Sequence, residues 1–164
     1  MGRILGFTTL AGMNVGGATG AVFTPFGLVV GAVVGLVLGL LAGLFTGGMV
    51  MLDRSGLTPA GARLLVGAPP IIVLALATVP LFIYDALHEG SNVPTAVALV
   101  SVVVGTPLIV TVTWTGAPWC VAPLAPGAAD ESARRRMVRG MLWPVWVGGL
   151  LTAGWCVAIV ATAG

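Results

Sequence analysis

The sequence predicts an all-α fold: a polytopic helical membrane protein with four transmembrane helices and an N-terminal fifth that pairs with its successor as a glycine-lined hairpin. Three observations carry this expectation. Of the 164 residues, 58% are hydrophobic and only 7% are charged, whereas soluble domains carry about 25% charged residues. A soluble fold this short could not hide so much apolar surface, so lipid is the expected solvent. Uncharged runs recur at residues 4–52, 64–84, 90–129 and 140–164. Glycine also returns every fourth residue at Gly27, Gly31, Gly35, Gly39, Gly43 and Gly47, inside an otherwise oily segment.

A crossing takes about 20 apolar residues, because the hydrocarbon core is about 30 Å thick and a helix rises about 1.5 Å per residue. The first uncharged run has 49 residues, which as one helix would reach about 73 Å. One crossing cannot use it, and two can. Thr8, Gly12, Gly16, Gly20 and Thr24 keep a single four-residue register that breaks at Pro25 and restarts at Gly27. A turn at Thr24 and Pro25 divides the run into helices 4–23 and 26–52. Thr8, Thr9 and Asn14 dilute the first of these. Two placements stay open for it, a full crossing or a re-entrant or interfacial segment. Its start resembles a weak signal peptide, with small residues near Ala18 and Gly20, but Asn14 and the many glycines interrupt the apolar core that cleavage requires.

The later crossings follow from the charge-free runs. Residues 64–84 form one, with Pro69 and Pro70 in its first turns and Pro80 as a kink. Residues 94–114 form the next, capped by Ser91 or Asn92, with Pro94 in its first turn and a bend at Pro107. Residues 141–163 form the last. All belong to one transmembrane domain, residues 1–164, with a loop at 115–139.

The glycines are read as packing surface. Lipid tails are as apolar as leucine, so helices associate in a bilayer through dispersion and close backbone approach, which glycine allows. Gly12, Gly16, Gly20, Gly27, Gly31, Gly35, Gly39, Gly43 and Gly47 are therefore the expected helix-packing residues. Four residues turn a helix by about 400°, so the strip rotates by about 40° per step. A straight partner would meet about three of the six glycines between Gly27 and Gly47. The strip must wrap a partner or serve two neighbours. This pattern is a glycine zipper, a packing device that unrelated membrane proteins share and that carries no function with it.

Arginine sets the expected orientation, since cytoplasmic loops are enriched in basic residues. All seven basic residues are Arg; Arg54 and Arg63 lie in loop 53–63, and Arg134, Arg135, Arg136 and Arg139 lie in loop 115–139. Those two loops are expected in the cytoplasm, with loop 85–93 and the C-terminus external. Trp114, Trp119, Trp143 and Trp146 fall near the cytoplasmic ends, where an aromatic belt belongs. A composition rich in Ala, Gly, Val and Pro, without Lys or Gln, points to a GC-rich bacterial genome and hence to a bacterial plasma membrane.

Candidate chemistry is sparse. Asp85, His88 and Glu89 could share a helical face and are read as a weak external polar cluster, solvated rather than metal-binding. The arginines at 134–136 and 139 follow Asp130 and Glu131 on a short helix leading into the last crossing, and are read as topology markers in contact with lipid headgroups. The patch is too short for nucleic acid. Cys120 lies in the cytoplasmic loop and Cys156 about 24 Å along the last helix from its start near residue 140, so no disulfide is expected between them. The expected crossings hold no Asp, Glu, Lys or Arg, and no nucleophile-base pair, metal motif or phosphate loop occurs. The expectation is a protein without enzymatic activity or cofactor: a structural, accessory or assembly subunit. Its partners are the lipid bilayer and either a second copy of the chain or a larger membrane complex. The alternative is a small pore or carrier for an uncharged solute, with a water-filled path bounded by Thr106, Thr111 and Asn14.

Overall fold

The computed structural model describes residues 2–52, 59–87, 93–121 and 130–163. These form five helices: α1 (Gly2–Gly20), α2 (Pro25–Leu52), α3 (Pro59–Leu87), α4 (Val93–Val121) and α5 (Asp130–Ala163). Four of them, all but α1, are long and apolar enough to cross a membrane. The protein is thus a multi-pass helical bundle whose surface is built for lipid. Val29, Val33, Leu76, Val103, Leu150, Val157 and Val160 are among its many large side chains left exposed.

The turn between α1 and α2 explains where both helices stop. Helix α1 ends at Gly20 rather than at residue 23, because Ala21, Val22 and Phe23 close a turn through bonds to the carbonyls of Gly17, Thr19 and Gly20. Thr24 then caps α2: its hydroxyl accepts the N–H of Gly27 at 2.9 Å, and Pro25 fills the first helical position.

Helices α3 to α5 run beyond the expected crossings. Helix α3 starts at Pro59 instead of 64, and α4 reaches Val121 instead of 114. The expected loop 115–139 is mostly helical, leaving only 122–129 between α4 and α5. Both extensions have apolar faces to bury. Gly116, Ala117 and Cys120 are buried on α4, and Ala133, Met137 and Gly140 on α5, spacings that keep each set on one helical side. Arg134, Arg135, Arg136 and Arg139 stay exposed on the other side.

The chain runs up and down. Helix α1 lies against α2, α4 and α5. Around it α2 packs on α3, α3 on α4, α4 on α5, and α5 lightly on α2. Helix α1 is therefore held on three sides, by α2, α4 and α5, and makes no substantial contact with α3; a further face, with Leu10 and Met13, stays exposed. Its buried residues include Ile4, Phe7, Thr8, Ala11, Val15, Ala18 and Thr19. This position fits its low hydropathy: Thr8, Thr19 and Asn14 lie on faces that pack against protein, while the exposed face carries Leu10 and Met13.

Candidate functional site

Among the described glycines, backbone approaches backbone most closely where α1 meets α2. A Cβ added to Gly12 or Gly35 would fall under 3.0 Å from the other residue's carbonyl oxygen. The same reciprocal relation holds for Gly16 with Gly31 and for Gly20 with Gly27. Gly39 continues the series against the Thr8 carbonyl, and Gly43 against the Thr8 hydroxyl. Each four-residue step up α1 thus meets a four-residue step down α2, so the i+4 ridges of two antiparallel helices interlock. Because both rows rotate together, one partner follows the strip over five of the six positions instead of about three. Gly47 is buried, and Gly48 has open space around it.

Other small residues make single openings that the sequence analysis did not mark. The Phe7 ring occupies the space a Cβ on Gly116 would need, Thr115 does so for Gly140, and Ala18 lies close beside Gly148. No periodicity advertises these sites, because each receives a single neighbour rather than a row of backbone.

Where α1 and α3 fail to meet, a cavity of about 340 Å³ opens between the α1/α2 hairpin and the α3/α4 pair. Its walls include Val15, Gly16 and Thr19 of α1, Val30 and Val34 of α2, Leu74 and Ala77 of α3, and Ser101 and Gly105 of α4. The lining is almost wholly apolar. Four threonines reach it, and each turns its hydroxyl to its own helix: Thr8 to the Ile4 carbonyl, Thr19 to Val15, Thr78 to Ala75 and Thr113 to Ile109, at 2.7–2.9 Å. Such back-bonding leaves the methyl groups for the cavity.

This is not the path expected from Thr106, Thr111 and Asn14, none of which lines the cavity. Asn14 reaches α5 instead, donating to the Met141 carbonyl at 3.5 Å, and the Thr111 hydroxyl bonds Pro107.

The bundle's two ends differ in charge. Arg3, Arg63 and the α5 arginines all sit at the starts of odd-numbered helices, hence at one end. Arg3 lies over the Trp119 ring at 5.2 Å, and Arg63 over Trp114 at 4.3 Å. Among the described residues the buried Arg63 Nε has no hydrogen-bond partner, and the Trp114 face beneath the guanidinium gives it a cation–π contact. Arg135 pairs with Glu131 at 2.7 Å, but both are about four-fifths exposed and the pair contributes little. Arg54 lies outside the described residues.

At the opposite end Asp85 accepts the Thr95 hydroxyl from the first turn of α4, where a carboxylate also suits the helix dipole. His88 and Glu89 lie outside the described residues. Among the described residues no group of three His, Cys, Asp or Glu could hold a metal. Cys120 is buried and Cys156 exposed, both as free thiols. Compared with known proteins, the chain matches no family model, no curated protein and no solved structure.

Proposed function

We propose that this chain is a non-enzymatic integral protein of a bacterial plasma membrane, a structural or accessory subunit whose bundle is built around a glycine zipper. The reading rests on one observation. The feature that sets this sequence apart, its glycine series, is engaged by α1 within the same chain. The strip therefore builds the bundle and is not a free face awaiting a partner. Contacts with a second copy or a larger complex would then use other surfaces. The end of α5 is suited to this, since residues 153–162 are exposed all round. The Arg-bearing end lies in the cytoplasm and the Asp85 end outside.

Purification in a mild detergent, with identification of whatever remains bound, tests this reading. A stoichiometric membrane partner, or a defined homo-oligomer, is the expected result. The pore or carrier reading would need the inter-helix cavity to conduct, although its lining is almost wholly apolar. Reconstituted vesicles should show no glycerol or urea flux above protein-free vesicles. Flux that disappears in Ala77→Trp would replace the structural reading with the transport one.

A further inference from the structure

We propose that the cavity between α1 and α3 is a slot for one hydrocarbon chain of a membrane lipid, entered sideways between α2 and α3. The proposal depends on the bundle lying in a bilayer, but not on its having a structural role.

Shape is the first argument. The cavity holds about 340 Å³ and its lining runs beside α1 from Thr8 to Gly20, about 18 Å of helix. The mean cross-section is therefore about 19 Å². Carbon atoms in contact lie about 4 Å apart, so an extended polymethylene chain fills on the order of 16–20 Å². One leaflet of the hydrocarbon core is about 15 Å deep, which is the reach of a single acyl chain. The slot thus has the length and the girth of one such chain.

Wall chemistry is the second. The four lining threonines are bonded to their own backbones, so they offer methyl groups to an occupant and little to water. Apolar cavities of this kind stay dry or take apolar guests. An empty slot this size would forfeit dispersion contacts along its whole length.

Access is the third. Val30 and Val34 line the slot yet are 61% and 51% exposed, and Ala77 across from them on α3 is also exposed. The opening therefore faces the surrounding lipid, not either aqueous side. Val15 and Thr19, on the inner wall, are only 6% and 8% exposed.

The test uses full-length protein in phosphatidylethanolamine–phosphatidylglycerol vesicles doped with a phospholipid that carries a photoactivatable diazirine midway along one acyl chain. Crosslinked residues are mapped by mass spectrometry. Labelling at Val15 and Thr19 is expected alongside labelling at the lipid-facing Val157 and Val160. Ala77→Trp, or Gly105→Leu should the first variant not fold, should abolish the label at Val15 and Thr19 and leave the α5 label, and any label on the exposed Leu10 and Met13 of α1, intact. Ala75→Trp, exposed on the same helix but outside the lining, should change neither. Label on α5 with none at Val15 or Thr19 overturns the slot, as does a label at those two residues that survives the plugging variants. Absence of label on both helices would instead refute the placement in the bilayer.

Discussion

At the residue scale, stability is concentrated where a hydrogen stands in place of a side chain. Gly35 has the Gly12 carbonyl oxygen where its Cβ would be. Neither partner there is a flexible side chain, so a substituent must push two backbones apart. Overpacking typically costs about 1–3 kcal/mol, and more where nothing can yield. Gly35→Leu should therefore abolish the folded state in detergent or lower its melting temperature sharply, whereas Gly149→Leu, which meets nothing within 4 Å, should leave melting unchanged. Equal melting of the two variants would remove the glycine contact as the organising feature. Phe7 presents the converse case. It is 2% exposed and fills the space at Gly116, so Phe7→Ala should destabilise the bundle by about 3–5 kcal/mol, read from chemical or thermal denaturation. The glycine series was legible in the sequence because it repeats. The Phe7–Gly116 fit was not, because one glycine among many carries no sign of the ring that fills it.

At the element scale, the helices are delimited by local chemistry and placed by contact. Thr24 and Pro25 mark the start of α2 in the sequence and perform that role in the structure. Thr24→Ala should cost about 1 kcal/mol through the lost cap, measurable as a modest fall in melting temperature. Trp155 adds a long-range clasp on the same turn, its indole N–H donating to the Val22 carbonyl at 3.3 Å. Hydropathy alone left the placement of α1 open. Its threonines and Asn14 lower the average, yet they are satisfied inside the protein: Thr8 and Thr19 bond their own helix, and Asn14 bonds α5. The helical extension at the start of α5 was readable as a short helix from its acidic start and following arginines. Its fusion with the last crossing into 34 residues depends on the apolar side of Ala133, Met137 and Gly140 finding the bundle.

At the scale of the whole molecule, up-and-down connectivity gathers the described arginines at one end and leaves Asp85 at the other. Charge asymmetry of this kind orients multi-pass proteins. An alkaline phosphatase fused after residue 163 should be active, and a green fluorescent protein at the same place dark. Replacing Arg134, Arg135, Arg136 and Arg139 with Gln should raise the share of molecules in the opposite orientation. The reverse pattern of reporter activity would invert the proposed topology. The helices packed on α1 leave a gap on its α3 side, and the cavity occupies it. Pro69, Pro70 and Pro80 lie within α3, where each lacks the N–H that would complete the helical ladder.

Composition and periodicity by themselves determined the solvent, the helical class, the break at Thr24 and Pro25, and which residues could let two backbones touch. These are properties of a segment: its oiliness, its charges and its spacing are complete before any partner is present. Only the tertiary structure decided which partner took the glycine strip, that the one helix not apolar enough to count as a crossing packs against three of the others, and that an apolar slot remains between α1 and α3. Those are properties of pairs of surfaces, and no single segment encodes where its neighbour's side chains will fall.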